Sequence, residues 1–261
     1  MCGIVGYIAK KNSKKELLDG LNLIKHRGPD FQDFHHEHLE SKSKYIGLAH
    51  ARLSILDLSV HANQPFISEC GNYIIIYNGE IYNHKELKNS FLKNINLKTT
   101  SDTEVLLHLY INYNETFLNK LEGMFSFAIY DKKKEHIFCV RDHLGIKPFY
   151  YSYQKDNFCF SSEIKPLFQF NFTNKKIDKN QIAEFLLNAF IYEPDTGFES
   201  IYKLLPGHKL TYSINSKKLN IEEYWSPLNQ VNKNKNKTSL KKIFKNSINK
   251  HMVSDVPVGL F

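Results

Sequence analysis

The sequence is poor in cysteine, tryptophan and above all arginine. Its 261 residues hold four cysteines, one tryptophan and three arginines, Arg27, Arg52 and Arg141. The cysteines (Cys2, Cys70, Cys139 and Cys159) form no Cys-x-x-Cys pair, which argues against a zinc ribbon or a disulfide framework. Almost all of the basic charge behind the net +8 is lysine, scattered or set in polar runs with asparagine. Nucleic-acid readers rely on arginine for bidentate and stacked contacts, so no nucleic-acid partner is expected. No apolar run reaches the ~18 residues of a membrane span, so no membrane partner is expected either. The opening MCGIVGYIAKK carries its lysines after the apolar stretch, the reverse of a secretory signal. A cytoplasmic location with reduced thiols is the expectation.

What is present is enough apolar and aromatic side chain, 42% and 13%, for a sizeable core. Strand-like runs fall at 3–8, 45–50, 73–77, 123–130, 136–141, 147–153, 157–161 and 208–214. Helical spacing occurs at 14–25, from an Asn83 cap through Leu92, from an Asp102 cap to about Asn112, and at 180–190. Strands outnumber helices and short turns join several of them, which predicts an α+β fold of antiparallel sheets flanked by helices. The His35-His36-Glu37-His38 cluster has no metal-site spacing and reads as an exposed loop. A Lys/Asn-rich linker is expected at 229–238, then a helix from Ser239 to about Met252 and a buried strand beginning VPVGLF at 256–261.

Cys2 stands apart because of its position. Removal of Met1 would leave a thiol and a free α-amine on one residue, and an amine with a pKa of ~7.7–8.0 suits proton transfer at neutral pH. Around it, MCGIVGY, HRGPD, HARLSILDLS with Gln64-Pro65, YNGEIYN, TSDTE, LEGMFSFAIYD and RDHLGIKPFYY occur in that order. Together they closely resemble the glutaminase domain of glutamine-hydrolysing asparagine synthetases, densely over residues 1–165. LPGHKL at 205–210, Tyr224-Trp225 and SDVPVG look like these synthetases and their sugar-amidating relatives.

The resemblance implies an N-terminal nucleophile hydrolase fold, a four-layer αββα sandwich, with L-glutamine as substrate and Cys2 as nucleophile. It implies an oxyanion hole from the Asn78 side-chain amide and the Gly79 N–H. Arg52 would hold the substrate carboxylate, Asp102 with Glu80 beside it the ammonium, and Leu53, Ser54, Ile55 and Leu56 would line the pocket. The residues alone allow plainer readings: Asn78-Gly79 as a hairpin turn, Asp102 as a helix cap, Arg52 in an ion pair. His26, Arg27 and Asp30 read as braces. The domains expected are a glutaminase unit at 2–215, the linker at 229–238, and the start of an α/β synthetase domain at 239–261. A phosphate-binding loop should follow SDVPVG, and the sequence stops at Phe261 before it. The glutaminase reaction therefore needs no cofactor or metal, whereas ATP and Mg belong to a synthetase half. The readings open for the chain are a fragment, a truncated gene product, or one half of a split enzyme whose synthetase half is a separately encoded partner. Other readings are the glutaminase half of a sugar-amidating enzyme, a cysteine hydrolase using His50 or His143, and a non-catalytic partner-binding relic.

Overall fold

A computed structural model of the chain describes residues 1–230 and 239–259. In chain order the strands are β1 (Gly3–Ala9), β2 (Phe31–Leu39), β3 (Lys44–Arg52), β4 (Phe66–Ile67), β5 (Tyr73–Ile81) and β6 (Gly123–Asp131). They continue as β7 (His136–Arg141), β8 (Tyr150–Gln154), β9 (Asn157–Ser161), β10 (Tyr202–Lys203), β11 (His208–Ser213) and β12 (Leu219–Glu223). The α-helices are α1 (Lys14–Leu23), α2 (His84–Phe91), α3 (Asp102–Tyr113), α4 (Ile164–Leu167), α5 (Lys179–Asn188) and α6 (Leu240–His251). Two six-stranded sheets result, ordered β10-β8-β9-β1-β3-β2 and β12-β11-β7-β6-β5-β4, with neighbouring strands antiparallel throughout.

The central strands are apolar on both faces because each face meets an apolar layer. In β1, Ile4 and Ile8 enter the inter-sheet core with Ile46, Leu48, Ile74 and Ile76. The alternate residues Val5, Tyr7 and Ala9 pack with Leu17 and Leu21 of α1. β5 does the same in the second sheet: Ile75, Tyr77 and Ile81 pack under Leu87 of α2 and Val105 and Leu106 of α3. The layering is helix, sheet, sheet, helix, the four-layer αββα sandwich.

Three local expectations are corrected. The His35-His36-Glu37-His38 segment is not a loop; it lies in edge strand β2, paired along its whole length with β3. His36 and His38 stack on Tyr45 across that pair, and Lys132 bonds Glu37, so aromatic and ionic contacts replace the apolar alternation that would have marked a strand. Among the described residues no cluster of three or more potential metal ligands occurs. Ser101, not Asp102, is the N-cap of α3, its side chain accepting from the Thr103 N–H. Residues 256–259 form no strand: Pro257 has no N–H to donate, and Ser254 Oγ takes both the N–H and the carbonyl of Val256. The core of the expected linker, 231–238, lies outside the described residues, as do 260 and 261. No described helix is long and apolar enough to cross a membrane.

Candidate active site

The even-numbered residues of β1 and β5 face the seam between the sheets, and that parity extends to Cys2, just before β1, and to Asn78. Both border a cavity of about 150 Å³ that opens to solvent. It is lined by Cys2, Arg52, Leu53, Ile55, Leu56, Asn78, Gly79, Glu80 and Asp102. Ser54 is the one residue of the expected set that does not line it; its N–H turns away to donate to Asp30 at 2.7 Å. Met1, Gln64, Tyr77 and Lys147 complete the wall with others.

The Cys2 sulfur accepts from the Leu53 N–H at 3.4 Å and donates to the Leu53 carbonyl at 3.6 Å. Burial pushes its thiol above the usual range, which favours the protonated form. Arg27 Nε donates to the Cys2 carbonyl at 3.0 Å, and the Asp30 N–H donates to the Arg52 carbonyl at 3.1 Å. The HRGPD turn thus braces both walls. It can approach because residue 28 is glycine: a Cβ there would lie 2.2 Å from the Ala51 carbonyl.

Beyond the two residues of β4, the open edge of β5 is covered by side chains. The Tyr77 N–H donates to Gln64 Oε1 at 2.7 Å and the Ile81 N–H to Asp102 Oδ2 at 2.9 Å. Strand alternation puts the N–H of Gly79, midway between them, on that same open edge. A Cβ at Gly79 would lie 2.2 Å from the Met124 carbonyl, so no side chain fits. Asn78 is 0% exposed, and neither its Nδ2 nor its Oδ1 has a hydrogen-bond partner among the described residues. The hairpin-turn reading is excluded, because Asn78 and Gly79 sit inside the ladder opposite Ser126 and Phe125.

The charged groups are of both signs. Asp102 Oδ2 also accepts from the Tyr77 hydroxyl at 2.8 Å, and burial raises its carboxyl. Glu80 is raised too, by burial first and then by the Asp102 charge. Arg52 makes no ion pair among the described residues. Its Nη1 donates to the Ser59 carbonyl at 2.9 Å and Asn63 Oδ1 at 2.6 Å, and its Nη2 to the carbonyls of Leu56 (3.3 Å) and Asp57. The guanidinium therefore organises loop 56–63 as the cavity wall.

Lys147 and Asp57 escaped the sequence reading of the site, although RDHLGIK and HARLSILDLS contain them. The buried Asp142 carboxylate gathers the N–H groups of Phe125, Leu144, Ile146 and Lys147, which aims Lys147. Its Nζ comes 3.0 Å from the Met1 sulfur, and burial lowers its pKa. Asp57 takes a left-handed backbone (φ 51). Its carboxylate accepts from Ser59 and Thr100. Burial pushes that carboxyl up, but these hydrogen bonds outweigh it and leave the group below its ordinary range.

Neither histidine proposed as a distant base lines the cavity. His143 packs against Tyr224 and Trp225. His50 donates from Nε2 to the Tyr77 carbonyl at 2.9 Å, and burial drives its pKa down to about 3. An unfolded histidine titrates near ~6.5. Between these values the unfolded chain holds a proton that the folded chain does not, so stability is complete above about pH 6.5 and is lost as pH falls toward 3. His50→Gln keeps a donor for Tyr77 and removes that proton. In urea unfolding between pH 6 and 4, the slope of stability against pH should flatten by about 1.4 kcal/mol per pH unit.

A family model described as a glutamine amidotransferase domain matches residues 1–225, and the chain belongs to that family. The fold agrees: a glutamine phosphoribosylpyrophosphate amidotransferase from B. subtilis superposes with a TM-score of 0.60 at 18% identity, covering 86% of this chain and 49% of that one. More particularly, the whole chain is similar to glutamine-hydrolysing asparagine synthetases. It is 37% identical to a putative one, number 2, of Methanocaldococcus jannaschii and 38% identical to asparagine synthetase 2 of Bacillus subtilis. Asparagine synthetase B of Escherichia coli is 32% identical. The chain spans 54%, 36% and 42% of these three relatives.

Proposed function

We propose that this chain hydrolyses L-glutamine to glutamate and ammonia, with Cys2 as nucleophile. The ammonia serves ATP-dependent amidation of aspartate in the cytoplasm, carried out by a synthetase half whose first residues are 239–261. The glutaminase step uses no cofactor; ATP and Mg belong to the synthetase half. The observation that carries the reading is the buried, unpartnered Asn78 amide in the same cavity as the Cys2 thiol. A buried amide left without partners is costly, and a polar group presented in this way is prepared for an external one. With the Gly79 N–H it supplies the two donors that a tetrahedral oxyanion requires.

A zwitterionic substrate suits a cavity walled by Arg52 and Lys147 on one hand and by Glu80 and Asp102 on the other. The Arg52 guanidinium has its terminal nitrogens committed to loop 56–63, leaving Nε and the loop it shapes to meet the substrate carboxylate. Asp102 and Glu80 face the ammonium. The α-amine of Cys2 takes the thiol proton, and sulfur attacks the side-chain carbonyl carbon. Collapse of the oxyanion breaks the C–N bond as the amine passes its proton to departing ammonia, and water then cleaves the thioester.

With Met1 in place the Cys2 nitrogen is a peptide amide and cannot act as a base. The Met1 amine that stands there instead is lowered by burial, with the charges of Lys147 and Arg27 also disfavouring its protonated form. Intact mass of active protein is expected to lack Met1, and a form that retains Met1 should release no glutamate. Full activity with Met1 retained would sink the mechanism.

A further inference from the structure

The family match ends at residue 225, yet residues 239–259 come back against the cavity wall from outside. The His251 ring of α6 lies 4.4 Å from that of Tyr82, and Lys250 pairs with Glu122. Just past the helix, Asp255 Oδ2 accepts from the Asp57 N–H at 2.7 Å, while the Asp255 N–H donates to the Ile55 carbonyl at 3.0 Å. One residue from beyond the matched domain thus grips both ends of the tripeptide 55–57.

That tripeptide is part of the cavity wall. Ile55 and Leu56 line it, and Arg52 holds the Leu56 and Asp57 carbonyls. Asp57 is the strained point, a non-glycine residue in the left-handed region. Such a conformation persists only where its surroundings over-determine it. Its carboxylate is tied to Ser59 and Thr100, and its N–H to Asp255. Asp255 is itself exposed, and hydrogen bonds in such a place are individually weak and readily reversible.

We propose that Asp255 is a positioning residue for the glutamine pocket, clipping residues 55–57 so that the formed pocket depends on docking of the 239–259 segment. The inference rests on the glutamine reading above. It gives whatever follows the amidotransferase domain a handle on the glutamine site: displacing α6 releases the clip and loosens the wall.

Asp255→Ala removes the side-chain bond, while Asp255→Asn keeps an oxygen that can accept from Asp57. Amide hydrogen exchange and glutaminase kinetics are measured on the full chain after Met1 removal. In the alanine variant, exchange at 55–60 should quicken and KM for glutamine rise, each about three- to tenfold, the worth of one hydrogen bond, with kcat within about twofold. The asparagine variant should restore most of both. Lys250→Ala, which loosens α6 without touching the loop, should move both in the same direction by less. Unchanged exchange at 55–60 in Asp255→Ala overturns the proposal. So does a rise spread over the sheets with a lowered Tm, which marks a merely structural role. If the wild-type chain releases no glutamate, the functional reading fails while the exchange result still decides the clip.

Discussion

Cys2→Ala is expected to reduce glutamate release by about 10⁵-fold or more, the scale seen when a catalytic nucleophile is deleted. Two of the other cysteines cannot substitute: Cys139 and Cys159 are wholly buried in the sheets, and burial holds their thiols well above the usual range. Cys70 is exposed but does not line the cavity. Cys2→Ser should be nearly as damaging, since its hydroxyl resists deprotonation far more than a thiol does and the same weak amine must serve both. Folding should barely change, because the sulfur's contacts are two long hydrogen bonds to Leu53. Glutamate release by purified variants, with Tm alongside, is the measurement. Activity in Cys2→Ala would place the nucleophile elsewhere.

Asn78→Ala should lower kcat about 10²- to 10³-fold, or ~2.7–4 kcal/mol, with a smaller change in KM, because the oxyanion exists only along the reaction path. Its effect on stability should have the opposite sign to that of most buried polar deletions. Both polar atoms of the Asn78 side chain are buried and unpartnered, so removing them relieves a desolvation penalty without orphaning another group. An unchanged or higher Tm with a collapsed kcat marks a group kept for catalysis at the expense of folding. Arg52→Ala makes the contrast: it strands four acceptors of loop 56–63 and should raise KM and lower Tm together. An Asn78→Ala variant altered only in KM would remove the oxyanion assignment.

The α+β class, antiparallel sheets flanked by helices, was legible because it rests on local pattern, whereas the four-layer order came from the family resemblance. β1 and β5 are apolar at consecutive positions, and only a strand covered on both faces needs that. β2 was not legible, since the side chains that bind it to its neighbours, His36, Glu37 and His38, look like solvent-facing loop residues until Tyr45 and Lys132 are placed beside them. The cap of α3 was misread by one residue because Ser101 and Asp102 both suit the position, and what removes Asp102 from it is a tyrosine hydroxyl 25 positions back in the chain.

By itself the sequence determined the α+β class, the cysteine at position 2 and the ordered motifs around it, all of which depend on residue type and near spacing. Only the tertiary structure decided what those motifs do to one another. It put Asn78-Gly79 in mid-strand with an open edge, committed Arg52 to carbonyls, excluded His50 and His143, brought Lys147 to the cavity, and tied Asp57 and Asp255 to the backbone behind its wall. Each of these is a contact between segments far apart in the chain, set by which strands become neighbours and which backbone groups that pairing leaves unfilled, and no local periodicity encodes it.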